Sequence, residues 1–405
     1  MATNFNIVKK PKKTDDDDFL DEDEIEVEEK KTSANDKKAK TRMLLFMGFV
    51  FGGIILLLLI LYIVSLFSHR TYSYEQIETV LQNAAVAYFK DYPESLPAED
   101  GDIVEIDSAN LIVAGKMKDL SEYTAEGIMC SGTVQVQKVN NDYNYVPFLN
   151  CGDSYTTVPL SQKIIENGTV TSGYGLYAMN NLYVYRGENV NNYLQLENSL
   201  WRIVKITSDN EVVLINDTGI LYNPKAWDDR YNTTANFASG INQYKSSRVY
   251  EYLEEVYNNP AADENELLLS DKDKLKTVAF NLCVGKRSVA TEGFNNTEEC
   301  AETLPDQKYG LLTLSEYMMA SIDTTCKTGF EPSCANYNYL SKTNNWWLVT
   351  ANKDDSMHVY KNGMSGYITS EYASSYSNVR PIIYLNSNIL YKDGDGTLEK
   401  PYTVK

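Results

Sequence analysis

Residues 43–67 form an unbroken apolar run, MLLFMGFVFGGIILLLLILYIVSLF, with no charge anywhere in it. As a helix it would extend roughly 37 Å, longer than the bilayer core of about 30 Å. A signal-peptide core is shorter and ends in small residues, whereas this run ends in Ser65-Leu66-Phe67-Ser68, so it is expected to be an uncleaved anchor. Past the run, Ser73 stands three residues before Gln76, the spacing of a capping box. Ile77, Val80, Leu81, Ala84 and Tyr88 then recur on one helical face, and Pro93 and Pro97 stop the pattern. Short alternating runs follow at 103–106, 132–137 and 143–146, and they predict strands, with the last two joined by a turn at Asn140-Asn141-Asp142. The pattern predicts a small α+β domain, one helix and a small sheet, over 71–157. A linker is expected at 158–171.

From 172 to 405 the sequence becomes rich in Tyr and Asn. Strands are predicted at 173–177, 182–186, 200–204, 211–215, 346–350 and 379–385, with a helix beginning at 248–253. Residues 311–318 read as a short strand and a helix start capped by Thr313 or Ser315. The expected fold class is α+β throughout: one transmembrane helix, the small membrane-proximal domain and an irregular distal α+β domain.

Charge supplies orientation. Lys30, Lys31, Lys37, Lys38, Lys40 and Arg42 precede the apolar run, and only Arg70 lies just beyond it. The positive-inside rule keeps the N-terminus in the cytoplasm and places 68–405 outside. The tail, 1–42, has 12 acidic and 10 basic residues and hardly an apolar cluster, so it is expected to be disordered. Its acidic run from Asp15 to Glu29 reads either as a solvated segment or as a dock for a basic partner. Gly48 and Gly52 form a GxxxG that would let two such helices approach closely, a possible homodimer contact.

The whole chain has 56 acidic residues against 37 Lys plus Arg, a net charge of −19, which argues against a nucleic-acid partner. With only His69 and His358, a multi-histidine metal centre is excluded, and no cofactor is expected. All six cysteines (Cys130, Cys151, Cys283, Cys300, Cys326 and Cys334) follow the apolar run, as disulfides in an oxidising compartment would require. Of the 15 possible connectivities, proximity favours pairing in sequence order.

The layout of the first 110 or so residues beyond the tail resembles that of type IV pilins and pseudopilins. A 42-residue tail and a span without Glu depart from their pattern. Further on, Trp201-Arg202-Ile203-Val204, Leu311-Leu312-Thr313-Leu314-Ser315-Glu316, Trp346-Trp347-Leu348 and Val379-Arg380-Pro381 resemble a family of bacterial surface domains of uncharacterised function. By its layout that family is similar to the C-type-lectin-like and formylglycine-generating-enzyme group. The resemblance implies a C-type-lectin-like distal fold and recognition of an external or envelope ligand, glycan or peptide, without catalysis. None of the cysteine motif of formylglycine-generating enzymes is matched, so no oxidase activity is carried over.

Candidate contacts for such a ligand are Trp347, Tyr360, Tyr367 and Arg380, because aromatic rings and a guanidinium suit recognition surfaces. Trp201 and Trp346 are expected in the core. Trp347 points the opposite way along its strand and is open to either role. Asp393-Gly394-Asp395-Gly396-Thr397 has the DxDxT form of phosphoryl-transfer enzymes, but the eight residues after Thr397 are too few for the rest of a doubly wound sheet. An EF-hand would need Glu where Val404 stands. A tight terminal hairpin is expected there, with Asp393 and Asp395 as a weak calcium alternative. His358 lies near Asp354, Asp355 and Ser356, too close in sequence for a hydrolytic triad, and reads as a loop histidine.

Overall fold

The computed structural model describes residues 34–67, 72–139, 142–197, 199–218, 220–236, 240–258, 269–342 and 345–405. The chain divides into two compact units, 1–69 and 70–405. In the first, helix α1 (Ala34–Phe67) contains a stretch, Arg42–Tyr62, long and apolar enough to cross a membrane. The helix begins eight residues before Arg42, so the end of the expected disordered tail is helical instead; Ala and Lys there are good helix formers and extend an existing helix without a new nucleus. The acidic run Asp15–Glu29 lies outside the described residues.

The second unit opens with α2 (Tyr74–Asp91), and its capping box is present: Ser73 Oγ accepts from the Gln76 N–H while Gln76 Oε1 accepts from the Ser73 N–H. Then come β1 (Ile103–Asp107), α3 (Ser108–Val113), β2 (Ser131–Val139) and β3 (Asp142–Asn150), the strands pairing antiparallel in the order β1-β2-β3. Asn140 and Asn141 of the predicted turn lie outside the described residues. Ile77, Leu81, Ala85 and Phe89 of α2 pack on Ile106, Val134, Val136 and Leu149 of the sheet. The buried face is centred on the row Ile77, Leu81, Ala85 and Phe89 and also takes in Ala84, as expected, and Glu78, while Val80 and Tyr88 are only half-buried. Gly132 lets α2 come this close, because a Cβ there would lie 2.6 Å from Leu81 Cδ1. The Cys130–Cys151 disulfide closes the hairpin just beyond its last pair, Ser131 with Asn150.

The expected linker is not one. It contains α4 (Leu160–Gly168), whose Leu160 and Ile164 are buried in the larger core. The chain continues through β4 (Gly175–Met179), β5 (Leu182–Arg186), β6 (Tyr193–Gln195), β7 (Leu200–Ile206), β8 (Val212–Asn216) and β9 (Ile220–Ala226). Helices α5 (Arg248–Asn258) and α6 (Asp271–Lys274) precede β10 (Thr277–Val278), β11 (Phe280–Cys283), β12 (Lys286–Arg287) and β13 (Thr303–Gln307). Helix α7 (Leu314–Met319) is capped by Thr313, not Ser315, in a second capping box with Glu316. The last strands are β14 (Trp346–Asn352), β15 (His358–Asn362), β16 (Ile368–Tyr372), β17 (Tyr376–Val379), β18 (Ile382–Leu385), β19 (Tyr391–Asp393) and β20 (Thr403–Val404).

One distal sheet has the order β10-β18-β8-β7-β5-β4 with β6 beside β7; another has β16-β15-β14-β17-β9 with β12 beside β14. The single strand expected over 379–385 is divided between them. Val379 ends a strand of one sheet and Ile382 begins a strand of the other, with Arg380-Pro381 as the crossing. Pro381 has no N–H to continue a ladder, and its carbonyl accepts from the Asn216 N–H instead. Cys283 is bridged to Cys300 and Cys326 to Cys334, completing the sequence-order pairing.

Candidate functional site

A cleft of 410 Å3 lies where α2 and β3 meet the distal domain. Helix α2 contributes Glu75, Glu78 and Gln82, and β3 contributes Asn144 to Pro147. The opposite wall carries Lys272 and Lys276 around α6, Asn388, Lys392 and Lys405. In residues 68–405, with 44 acidic and 27 basic side chains, four lysines around one cleft are a local reversal of charge.

Most of these charges are fixed by partners. Buried Glu78 accepts from Tyr155 Oη at 2.8 Å, from Thr157 Oγ1 and from Lys405 Nζ. Burial alone would pull the Lys405 ammonium down, but Glu78 and Tyr155 outweigh it and its pKa is raised. Lys276 pairs with buried Asp273 at 3.0 Å, and Lys272 reaches Glu197 at 3.5 Å. Glu75 and Lys392, on opposite walls, have no ion-pair partner among the described residues. The outer edge of β3 is largely occupied: Gln82 Nε2 donates to the Tyr145 carbonyl at 2.8 Å, the Thr157 N–H donates to the Leu149 carbonyl at 2.8 Å, and Pro147 offers no N–H.

Asn388 differs from its neighbours. It is 4% exposed, yet neither its Oδ1 nor its Nδ2 has a hydrogen-bond partner. It lines this cleft and also a second hollow of 510 Å3, bordered by Gln135, Phe148, Ser161 and Asp209. Adjacent Asn386 is fixed by its Nδ2, which donates to Gln137 Oε1 of β2. A buried carboxamide left unpaired costs about 1–3 kcal/mol; because both polar atoms are buried, a ligand in the cleft would reach them only as the side chains around them give way.

The expected ligand contacts lie elsewhere, and three of the four are interior. Trp347 is fully buried; its Nε1 donates to the Lys225 carbonyl at 2.9 Å, and its ring meets Trp227 edge-on at 5.9 Å. Every residue of β14 is buried, because the strand is central and covered on both faces, so the alternation rule that left Trp347 open to solvent does not apply. Tyr360 is also fully buried and donates to the Arg287 carbonyl at 2.7 Å. Arg380 is 2% exposed, donates through Nε to the Asn216 carbonyl at 2.9 Å, and lies 5.1 Å from the centre of the Trp346 ring. Burial pulls its pKa down to about 10, which leaves it charged at neutral pH, with Asp217 opposing that shift. None of these three can meet an external ligand. Tyr367 is half-buried in the loop before β16.

Asp393 and Asp395 belong to the β19–β20 hairpin. Asp393 pairs with Lys400 at 3.0 Å, and Asp395 Oδ1 accepts from the N–H and hydroxyl of Thr397, so turn geometry employs both carboxylates. His358 Nδ1 lies 2.9 Å from Asp355 Oδ2 and its ring rests on Tyr372, while Ser356 Oγ faces Asn232 at 3.4 Å; no triad is assembled.

Sequence reasoning also missed the buried ion pairs of the distal core. Lys205 Nζ meets Glu316 Oε1 at 2.6 Å, and Arg287 lies 3.6 Å from Glu299, which accepts from Thr350 Oγ1 and from the Ser315 N–H and hydroxyl. Burial pushes the Glu316 carboxyl up, but Lys205 and the Thr313 cap prevail and hold it below the usual carboxylate range. The Lys205 ammonium is correspondingly raised: burial opposes this, and Glu316 and Tyr384 outweigh the burial. No family model, curated protein or solved structure matches the chain.

Proposed function

We propose that this is a single-pass membrane protein with its N-terminus in the cytoplasm, whose outer part recognises an external or envelope ligand, peptide or glycan, and performs no catalysis. The lysines before Arg42 and the three disulfides support that orientation. The unpaired carboxamide of Asn388 beside the cleft carries the binding reading. Asn388 suits a peptide group, which presents one donor and one acceptor, and Lys392 and Glu75 would meet the ligand's charges. Such a cleft between two packed domains is a common place for a ligand.

The test is display of the protein on peptide and glycan arrays beside an Asn388→Leu variant. Hits that the variant loses support the reading; no hit, or hits indifferent to the substitution, would end it. A second reading, a pilin-like part of an envelope assembly, draws on the helix-on-sheet layout of residues 74–150 and on the open GxxxG face at Gly48 and Gly52. Crosslinking in membranes that yields only monomers would remove it.

A further inference from the structure

We propose that Tyr174 and Tyr337 form a platform for a neutral saccharide, separate from the cleft and independent of it. The two rings lie 6.1 Å apart with planes tilted by 36°, and they are 38% and 47% exposed. The backbone at Tyr337 carries the argument. Among the described residues six non-glycine positions have positive φ, and five of them are Asn or Asp, which tolerate that region. The sixth is Tyr337, at φ +49°. A bulky residue held there costs energy that Asn or Gly would avoid, and half of its ring gains no burial in return. Strain of this kind, retained at an exposed side chain, points to a role for the side chain itself.

The surroundings over-determine that conformation. Buried Asn338, next in sequence, donates to the carbonyls of Tyr317 and Cys334 at 3.1 and 3.2 Å. On the other side Ser321 Oγ donates to the Asn336 carbonyl at 2.8 Å, and the Cys326–Cys334 bridge closes the preceding loop. Tyr174 is packed on one side. It lies against the backbone of Gly187, where a Cβ would come within 2.7 Å of its ring. The Gly187 carbonyl in turn accepts from the Tyr339 N–H at 2.8 Å. The backbone under Tyr337 is therefore fixed before any ligand arrives, so binding orders little there.

The chemistry left at this surface selects the ligand. The N–H groups of Asn336 and Tyr339 and the carbonyls of Asn336 and Gly187 are already paired, so an extended peptide would find few main-chain partners. Ring faces remain; the Asp323 carboxylate nearby in the loop is already engaged by Asn336 Nδ2 at 3.0 Å and by the N–H and hydroxyl of Thr325. The negative face of an aromatic ring attracts the C–H bonds of a pyranose. An anionic glycan would be repelled by so acidic an ectodomain.

The full chain in lipid nanodiscs, free of sugar detergents, is tested by saturation-transfer NMR against maltohexaose, cellohexaose, xylohexaose, mannohexaose and chitohexaose. At least one is expected to bind more tightly than about 1 mM, with transfer concentrated on its C–H protons. Tyr337→Phe should keep that binding, and Tyr337→Gly and Tyr337→Asn should weaken it by roughly tenfold or more. Because Gly and Asn suit the backbone, both variants should melt at the parent temperature or above it. Failure of all five sugars, undiminished binding by both variants, or binding of Pro-rich peptides alone would overturn the proposal. A fall in melting temperature in both would make Tyr337 a structural residue and overturn it as well.

Discussion

The smaller core, of residues 74–150, is one helix laid on one face of a three-stranded sheet, whereas the larger core buries strands on both faces and encloses charged side chains among aromatic rings. In the first region inside and outside follow mostly from period, 3.6 residues on α2 and two on the strands, and the exceptions, Glu78, Gln137 and Pro147, are buried against the apolar pattern. In the second, position along a strand says little about exposure, because a second layer covers what alternation would leave in water. Exposure in the distal domain is therefore decided by what lies across from a residue. That is why Trp347, Tyr360 and Arg380 look like surface contacts in the sequence and are interior in the fold.

The strongest way to break this comparison is at the buried charges. Lys205→Met leaves Glu316 buried without its cation and should cost about 3–5 kcal/mol, read by chemical denaturation. A double change to Lys205→Met and Glu316→Leu should recover most of the loss. The effect has a defined pH dependence. Glu316 is depressed in the folded state, so its contribution is present above the ordinary carboxylate pKa of about 4.3 and is lost as pH falls through its lower folded value. Parent and Lys205→Met stabilities should converge in that acidic window. A constant gap would mean that the pair is not what the substitution removes.

Trp347→Ala tests the covered strand directly. A buried tryptophan should cost about 3–5 kcal/mol on truncation, whereas a surface residue would cost less than about 0.5 kcal/mol.

Reduction of the disulfides comes next. The bridges span sequence separations of 21, 17 and 8 residues, and each should contribute about 2–3 kcal/mol, chiefly by restricting the unfolded chain. The smaller core loses one bridge and the larger core two, yet a single bridge is a large share of so small a core's stability. Calorimetry of the reduced protein should therefore show the membrane-proximal region melting first, as a separate transition. A single unshifted transition would contradict the comparison, and free thiols in the unfolded, non-reduced protein would contradict the bridges themselves.

The smallest effect is at a helix end. Ser73→Ala removes the α2 cap and should cost about 1 kcal/mol, with Thr313→Ala at α7 similar in size or larger because Thr313 is buried.

Much of this fold was legible beforehand. The apolar run, the Ser73 capping box, the Cys130–Cys151 hairpin and the sequence-order disulfides are local, and local rules suffice for them. The division of 379–385 between two sheets was not legible, since Pro381 marks a break without saying where the chain goes next. The linker expected at 158–171 failed for a related reason: Leu160 and Ile164 make too short an apolar pattern to announce a helix, and only the distal core gives them a partner. The cleft was invisible as well. Glu78 and Lys405 are 327 residues apart, and Asn388 becomes informative only once packing has left its amide without a partner.

The sequence by itself determined a helix fit to cross a membrane and the Ser73 cap, and it favoured the hairpin and the cysteine pairs that the fold contains, because each depends on residues within about twenty of one another. Tertiary structure alone decided which aromatic and charged residues are interior, since covering a strand's second face requires chain from far away. It also decided that Tyr337 is held outward on a strained backbone, because the bonds that fix it come from Ser321, Tyr317 and Gly187, positions that only the folded chain brings together.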